Sequence, residues 1–175
     1  MGSEMCIRDR DKALEEIGNA GIQGKIAIGN AKIAYSRFRQ ILSSERWQKL
    51  AAQTARVQRP LWASTSSKNP AYPDTLYVDN LIGSDTVNTL PPATLDDFLD
   101  HGTVAATVET DVAGARNRMA QLTELGIDLD AITSKVLDEG VAAFAKSFEG
   151  LIASIAAKRR GLLDGGQQAS ASSGS

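Results

Sequence analysis

The chain has 175 residues, 42 % of them hydrophobic and 23 % charged, with a formal net charge of −2. These values suit one soluble globular domain with a proper core, and the charge gives no reason to expect nucleic acid or an anionic membrane surface as a partner. A single cysteine, Cys6, excludes an internal disulfide and a cysteine-based zinc site, which points to the cytoplasm. No uninterrupted apolar run approaches the roughly 20 residues of a membrane span.

In chain order, Met1–Arg10 (MGSEMCIRDR) has no apolar h-region and no small-residue cleavage site, so it reads as a non-native, adapter-like leader and not as a signal peptide. From Gly24 to Leu42, Ala27, Ala31, Ala34, Phe38 and Ile41 recur at helical spacing, with Lys25, Lys32 and Arg39 off that stripe. Ser43-Ser44 supplies N-cap residues for a second helix over 44–54. Arg59–Thr65 reads as a strand, because Pro60 is tolerated among a strand's first residues.

The loop Ser66–Asp74, punctuated by Pro70 and Pro73, leads into a short helix over Thr75–Ile82. Gly83-Ser84 then turns the chain into a second strand, Thr86–Thr89, which stops at Pro91-Pro92. Thr94 with Asp97 three residues on resembles a capping box for a helix over Leu95–Asp100, with Gly102 as its stop. Thr103–Val108 fits either a third strand or a loop.

Beyond it, Val112, Ala115, Met119 and Leu122 form one helical stripe. Leu137, Val141, Phe144, Phe148, Leu151 and Ile155 form a longer one, in a helix over Leu129–Arg160 broken or thinned near Gly140 and Gly150. Both terminal helices are expected on the outside of the sheet. Residues 164–175 make a Gly/Ser/Gln tail whose composition predicts disorder.

Strand, polar loop, helix, strand is the order of a parallel α/β enzyme, in which residues just past a strand's C-terminal end line the active site. Two parallel strands do not make a stable sheet unaided, since each leaves unpaired edges. The chain therefore reads as the tail of a larger parallel α/β domain, over residues 11–163.

The blocks GKIAIGNAKIAYSRFRQIL, WASTSSKNP and TVNTLPPATL, in that order with a helix between the last two, resemble the C-terminal part of bacterial transaldolases of the long, actinobacterial type. The resemblance implies a (β/α)8 barrel, a fold of roughly 250 residues, with the two strands as its seventh and eighth. It implies transfer of a dihydroxyacetone unit from a ketose phosphate (sedoheptulose 7-phosphate or fructose 6-phosphate) to an aldose phosphate in the pentose phosphate pathway. The chemistry runs through a lysine Schiff base, which needs a desolvated amine and neither cofactor nor metal.

The family's lysine motif, of the IKIPAT kind, has no counterpart in this sequence. Apart from Lys68, the lysines fall on polar helix faces or near termini, so no catalytic residue is assigned and the chain is expected to be an inactive fragment. The resemblance assigns the substrate phosphate to Lys68, with Ser64 or Ser66 as the accompanying hydroxyl; a point charge with hydroxyl donors suits a dianion. Asn88 is a candidate for orienting substrate from the barrel interior.

The expected partner is a phosphorylated sugar, with no nucleic acid and no membrane; relatives are sometimes fused to glucose-6-phosphate isomerase. The alternatives are a fructose-6-phosphate aldolase-type enzyme and a non-catalytic helical interaction module. Other conspicuous residues have plainer readings. His101 complements a helix C-terminus, as do Lys158-Arg159-Arg160, while Asp96, Asp97 and Asp100 suit the helix dipole rather than a metal. Trp47 and Trp62 are packing residues.

Overall fold

The computed structural model describes residues 24–67 and 69–172, with side chains through residue 163. These residues fall into two compact units that divide after Ile132. The first holds five helices and two strands: α1 (Lys25–Leu42), α2 (Glu45–Ala51), β1 (Leu61–Ala63), α3 (Leu76–Asn80), β2 (Val87–Thr89), α4 (Pro92–His101) and α5 (Val112–Glu124). The last helix, α6 (Leu129–Ser172), supplies the second unit. The described residues are thus mostly helical with one small parallel sheet.

The strands pair in parallel, Leu61 with Val87, Trp62 with Asn88 and Ala63 with Thr89. Parallel neighbours need a crossover connection, and here the Ser66–Thr86 stretch with α3 provides it. Both strands are shorter than their sequence patterns, three residues each. Register partners share a face of the sheet, and successive residues alternate faces. Trp62 and Asn88 therefore lie on one face, with Leu61, Ala63, Val87 and Thr89 on the other.

Trp62 defines which face is covered. Its indole packs against a cluster of Ile28, Tyr35, Tyr77, Leu81 and Val108, and its Nε1–H donates to the Leu81 carbonyl at 3.0 Å. On the opposite face Leu61 is 53 % exposed. The two tryptophans were expected to pack, and for Trp62 the contacts show it.

The buried face of α1 is not the predicted alanine stripe. Ile26, Ile28, Gly29, Lys32 and Tyr35 are buried, whereas Ala34 is exposed and Ile41 is 49 % exposed. Ala27, Ala31 and Phe38 of the stripe do pack, partly buried, against the strand-side cluster, but the stripe missed the most buried residues because α1 contacts α5 on one side and that cluster on the other. Gly29 meets Ala115 of α5 in ordinary van der Waals contact, and Ile26 packs with Leu122 beside Met119, Ile127 and Leu129. The stripe on α5 was read correctly, with Ala115 and Leu122 fully buried. What α5 packs on, however, is α1 rather than the sheet.

Ser44 caps α2 as the sequence indicated, its hydroxyl accepting the Trp47 N–H at 3.2 Å. The capping box at Thr94 does not form. Helix α4 starts three residues earlier, with Pro92 at its first position, and Thr94 is buried at 5 % exposure. Proline's fixed φ suits a first helical turn, where its missing N–H has no partner to lose. Gly102 does end the helix, its N–H donating to the Phe98 carbonyl.

Thr103–Val108 is a loop, with no strand assigned to it. The N–H groups of Thr107 and Val108 both donate to the Ile82 carbonyl, at 2.9 and 3.0 Å. Asp79 fastens the same loop from α3: its carboxylate accepts from the Thr103 N–H and the Thr75 hydroxyl, and its carbonyl from the Thr107 hydroxyl. Val108, fully buried, then occupies the space where Gly83 has no side chain.

Helix α6 runs unbroken past Gly140 and Gly150 and continues through 164–172, where composition predicts disorder. Glycine weakens a helix without terminating it, and no proline follows Pro92 to do so. The six residues of its apolar stripe are each at least 52 % exposed. Although no continuous apolar run exists, α6 from Leu129 to Leu163 is long and apolar enough by composition to cross a membrane. Alanines raise the average there, while Lys146 and Glu149 interrupt the stretch.

Two stability outcomes follow. A Cβ on Gly83 would lie 2.2 Å from Val108 Cγ1, so Gly83→Ala should destabilise the first unit by about 1–3 kcal/mol, as overpacking typically does. Thermal unfolding of the variant should show a lowered Tm, and an unchanged Tm would contradict the packing described. Gly140 and Gly150 meet nothing within 4 Å, so alanine at either should stabilise α6 by about 1 kcal/mol, read as increased helical circular dichroism on heating.

Candidate phosphate-binding site

The C-terminal ends of the two strands carry the polar residues. After β1 the chain breaks from extended backbone at Ser64, which takes a left-handed φ of 58°. That conformation is uncommon for a residue with a Cβ. It reverses the ordinary alternation of the strand: Ser64 stays exposed and Thr65 turns in, to 3 % exposure. The Thr65 hydroxyl donates to Asn88 Oδ1 at 2.8 Å and so ties the exit of β1 to the middle of β2.

Ser66 and Ser67 follow, both half-buried. The Ser67 hydroxyl donates to the Asn69 carbonyl at 3.3 Å, and Asn69 Oδ1 accepts the Ala71 N–H at 2.9 Å, closing a turn before Pro73. No hydrogen bond within the described residues occupies the hydroxyl of Ser64 or Ser66. Lys68, the cation assigned to the phosphate, lies outside the described residues.

Thr89 adds a hydroxyl on the opposite face of β2, 3.4 Å from the Trp62 carbonyl. Asn88 shares the face of Trp62, which is packed against α1 and α3. Asn88 therefore lies on the face away from Leu61, Ala63, Val87 and Thr89. Sequence reading missed Thr65, whose place in the serine-rich run gives it no distinguishing signal.

Lys32 departs from the expectation that the lysines other than Lys68 are peripheral. It is 5 % exposed, and its ammonium donates to the Thr110 carbonyl at 3.1 Å and the Thr110 hydroxyl at 3.2 Å. Burial lowers its pKa below the usual lysine value; nearby Asp111 opposes that shift and Arg118 adds to it. Asp111 caps α5 by accepting the Gly114 N–H, and it pairs with Arg118 at 2.9 Å.

His101 ends α4 between two carboxylates, Asp74 at 2.8 Å and Asp100 at 3.2 Å. The hydrogen bond to Asp74, then the one to Asp100, raises its pKa from 6.5 to about 8, and the same contact holds Asp74 below its ordinary value. The pair joins α4 to the loop before α3, a tie the dipole reading did not foresee. Asp96 and Asp97 do not join it, and no cluster of three metal-ligating side chains occurs among the described residues.

The sign of the pH dependence follows from these directions. His101, with a raised folded pKa, stabilises fully below about 6.5 and loses that contribution as pH rises through about 8. Asp74, with a lowered one, contributes above its ordinary 3.8 and loses the contribution as pH falls through its folded value. Asp74→Asn should bring the His101 titration, followed by NMR, down towards 6.5; a midpoint still near 8 would show that Asp74 is not its main partner.

Comparison with known proteins gives the context for this geometry. The transaldolase/fructose-6-phosphate aldolase family matches residues 7–155. A protein named Transaldolase 2 from Nostoc sp. (strain PCC 7120) is 50 % identical over 139 residues, 78 % of this chain and 36 % of its own length. A transaldolase of Neisseria meningitidis serogroup C is 46 % identical over 143 residues, 82 % of this chain and 41 % of its own. One from Parafrankia sp. is 46 % identical over 149 residues, covering 83 % and 40 %. The chain thus spans about two fifths of the length of these curated relatives.

Proposed function

We infer the function from a premise that these matches establish: the chain belongs to the transaldolase/fructose-6-phosphate aldolase family. The parent enzyme in this reading is a cytoplasmic transaldolase of the pentose phosphate pathway. It moves a dihydroxyacetone unit from sedoheptulose 7-phosphate or fructose 6-phosphate to an aldose phosphate. A lysine amine attacks the ketose carbonyl, and the covalent intermediate divides one difficult step into two easier ones. The named relatives are all transaldolases, which favours transfer over simple fructose 6-phosphate cleavage.

In this reading β1 and β2 are the seventh and eighth strands of a (β/α)8 barrel, and the face bearing Leu61, Ala63, Val87 and Thr89 is the interior one. Barrel active sites lie past the C-terminal ends of the strands. The loop Ser64–Asn69 is such a position, and the hydroxyls of Ser64 and Ser66, unbonded to any of the described residues, are the observation that supports a phosphate handle there. Lys68 supplies the charge, and Ser64 or Ser66 the hydroxyl. The substrate is a phosphorylated sugar, with no nucleic acid or membrane partner.

The 175-residue chain holds the handle without the Schiff-base lysine and is catalytically silent. Borohydride treatment with fructose 6-phosphate, followed by mass spectrometry, should find no reduced sugar adduct on any of its lysines. An adduct would sink the silent-fragment reading. Titration with inorganic phosphate should give binding that Lys68→Ala weakens about tenfold or more, the loss of one charge-assisted contact. Equal affinity of the variant would remove Lys68 from the site.

A further inference from the structure

We propose that Thr65 is a positioning residue for the phosphate handle: its hydrogen bond to Asn88 holds the loop so that the hydroxyls on either side of it, Ser64 and Ser66, face outward for an anion. The inference rests on the phosphate reading above and adds to it the device that aims the loop.

Three observations carry it. A strand leaving a sheet in regular extended backbone would send alternate residues to alternate faces. Here Ser64 breaks that pattern with φ 58°, a left-handed backbone that a serine holds only when its surroundings require it. The requirement lies in the next residue. Thr65 is 3 % exposed within a loop whose neighbours Ser64 and Ser66 are exposed and half-buried. Its inward hydroxyl donates to Asn88 Oδ1 at 2.8 Å.

Asn88 is itself fixed, paired with Trp62 in the strand register, and Trp62 is anchored through its Nε1–H to the Leu81 carbonyl. The chain of fixation therefore runs from the packed cluster through Trp62 and Asn88 to Thr65. It ends beside the Ser64 and Ser66 hydroxyls, which bond to no other described residue. Asn88, read from the sequence as a residue that orients substrate directly, acts in this arrangement through Thr65 and without touching the sugar.

Threonine rather than serine is also explained. The β-branched side chain has few χ1 choices, so its methyl group can fill the buried site while the hydroxyl points at Asn88. A hydroxyl in that place that lost its acceptor would be left buried and unsatisfied, a costly state.

The test uses the isotopically labelled 175-residue chain and three variants. Thr65→Val keeps the shape and removes the hydroxyl, Thr65→Ser keeps the hydroxyl, and Asn88→Ala removes the acceptor while leaving the loop sequence intact. In Thr65→Val and Asn88→Ala the backbone resonances of Ser64 and Ser66 should move, and affinity for inorganic phosphate and for fructose 6-phosphate should fall about tenfold. Thr65→Ser should restore both. If Thr65→Val does not fold, Asn88→Ala decides alone.

Resonances of Ser64 and Ser66 that stay in place in both variants would overturn the positioning role, whatever the affinity. Resonances that move while phosphate affinity stays at the unsubstituted level would show a structural tie that does not aim the handle, and would overturn it equally. An unsubstituted chain that binds neither phosphate nor fructose 6-phosphate, yet shows the resonance shifts, overturns the phosphate reading itself and with it the purpose assigned to Thr65.

Discussion

The turn at Ile82-Gly83-Ser84 is the point on which the first unit depends. It joins α3 to β2, and two segments distant in sequence, the loop after α4 and helix α1, close on it. The Ile82 carbonyl accepts two N–H groups from the loop after α4, Ser84 accepts the Tyr35 hydroxyl of α1 at 2.8 Å, and Val108 fills the space beside Gly83. The Ile82 carbonyl and the Tyr35 hydroxyl are partly buried polar groups that would be costly to leave unsatisfied, and Val108 adds apolar packing. A three-residue parallel ladder is too short to hold its own register, so the strand ends are fixed by what grips this turn and not by the sheet.

That arrangement explains how rigidity reaches the polar loop. Tyr35, Leu81 and Val108 form the cluster, Trp62 packs against it and bonds to Leu81, and Asn88 sits opposite Trp62. The face of the sheet that meets the helices is dry and specified. The other face, with Leu61 half exposed, carries no comparable packing within the described residues. The loops at the ends of the strands thus leave a fixed frame, the setting in which loops commonly carry function.

The parts of this fold that were legible in the sequence are those set locally. Ser44 caps the helix that follows it, the prolines at 91 and 92 close the stretch after β2, and alternating strand, loop and helix patterns gave the parallel pair. What was not legible depended on contacts distant in sequence. The capping box at Thr94 had the right residues but lost to the proline at the first helical position. Lys32 looked peripheral because helical spacing gives a face but not the number of neighbours that cover it. The loop after β1 stood out only through resemblance, since a run of serines and threonines does not say which hydroxyl turns inward. Thr65 turns inward where Ser64 is left-handed, and no composition rule predicts a left-handed serine.

Lys32 tests the claim that this chain lacks the Schiff-base amine, since it is buried and its pKa is lowered, the two properties such a nucleophile needs. Its geometry argues the other way. A nucleophilic amine must present a lone pair to an open site, whereas the Lys32 ammonium donates to two acceptors of Thr110. Acceptors stabilise the charged form, and Asp111 nearby does the same, so the shift that burial produces is opposed on the spot. At 5 % exposure there is also no room for a ketose carbonyl to approach. Lys32 joins α1 to the entry of α5, where the satisfied charge of a buried lysine serves packing. The electrostatics that activate a lysine require desolvation without compensation, and in this chain the one described lysine that is desolvated is also compensated.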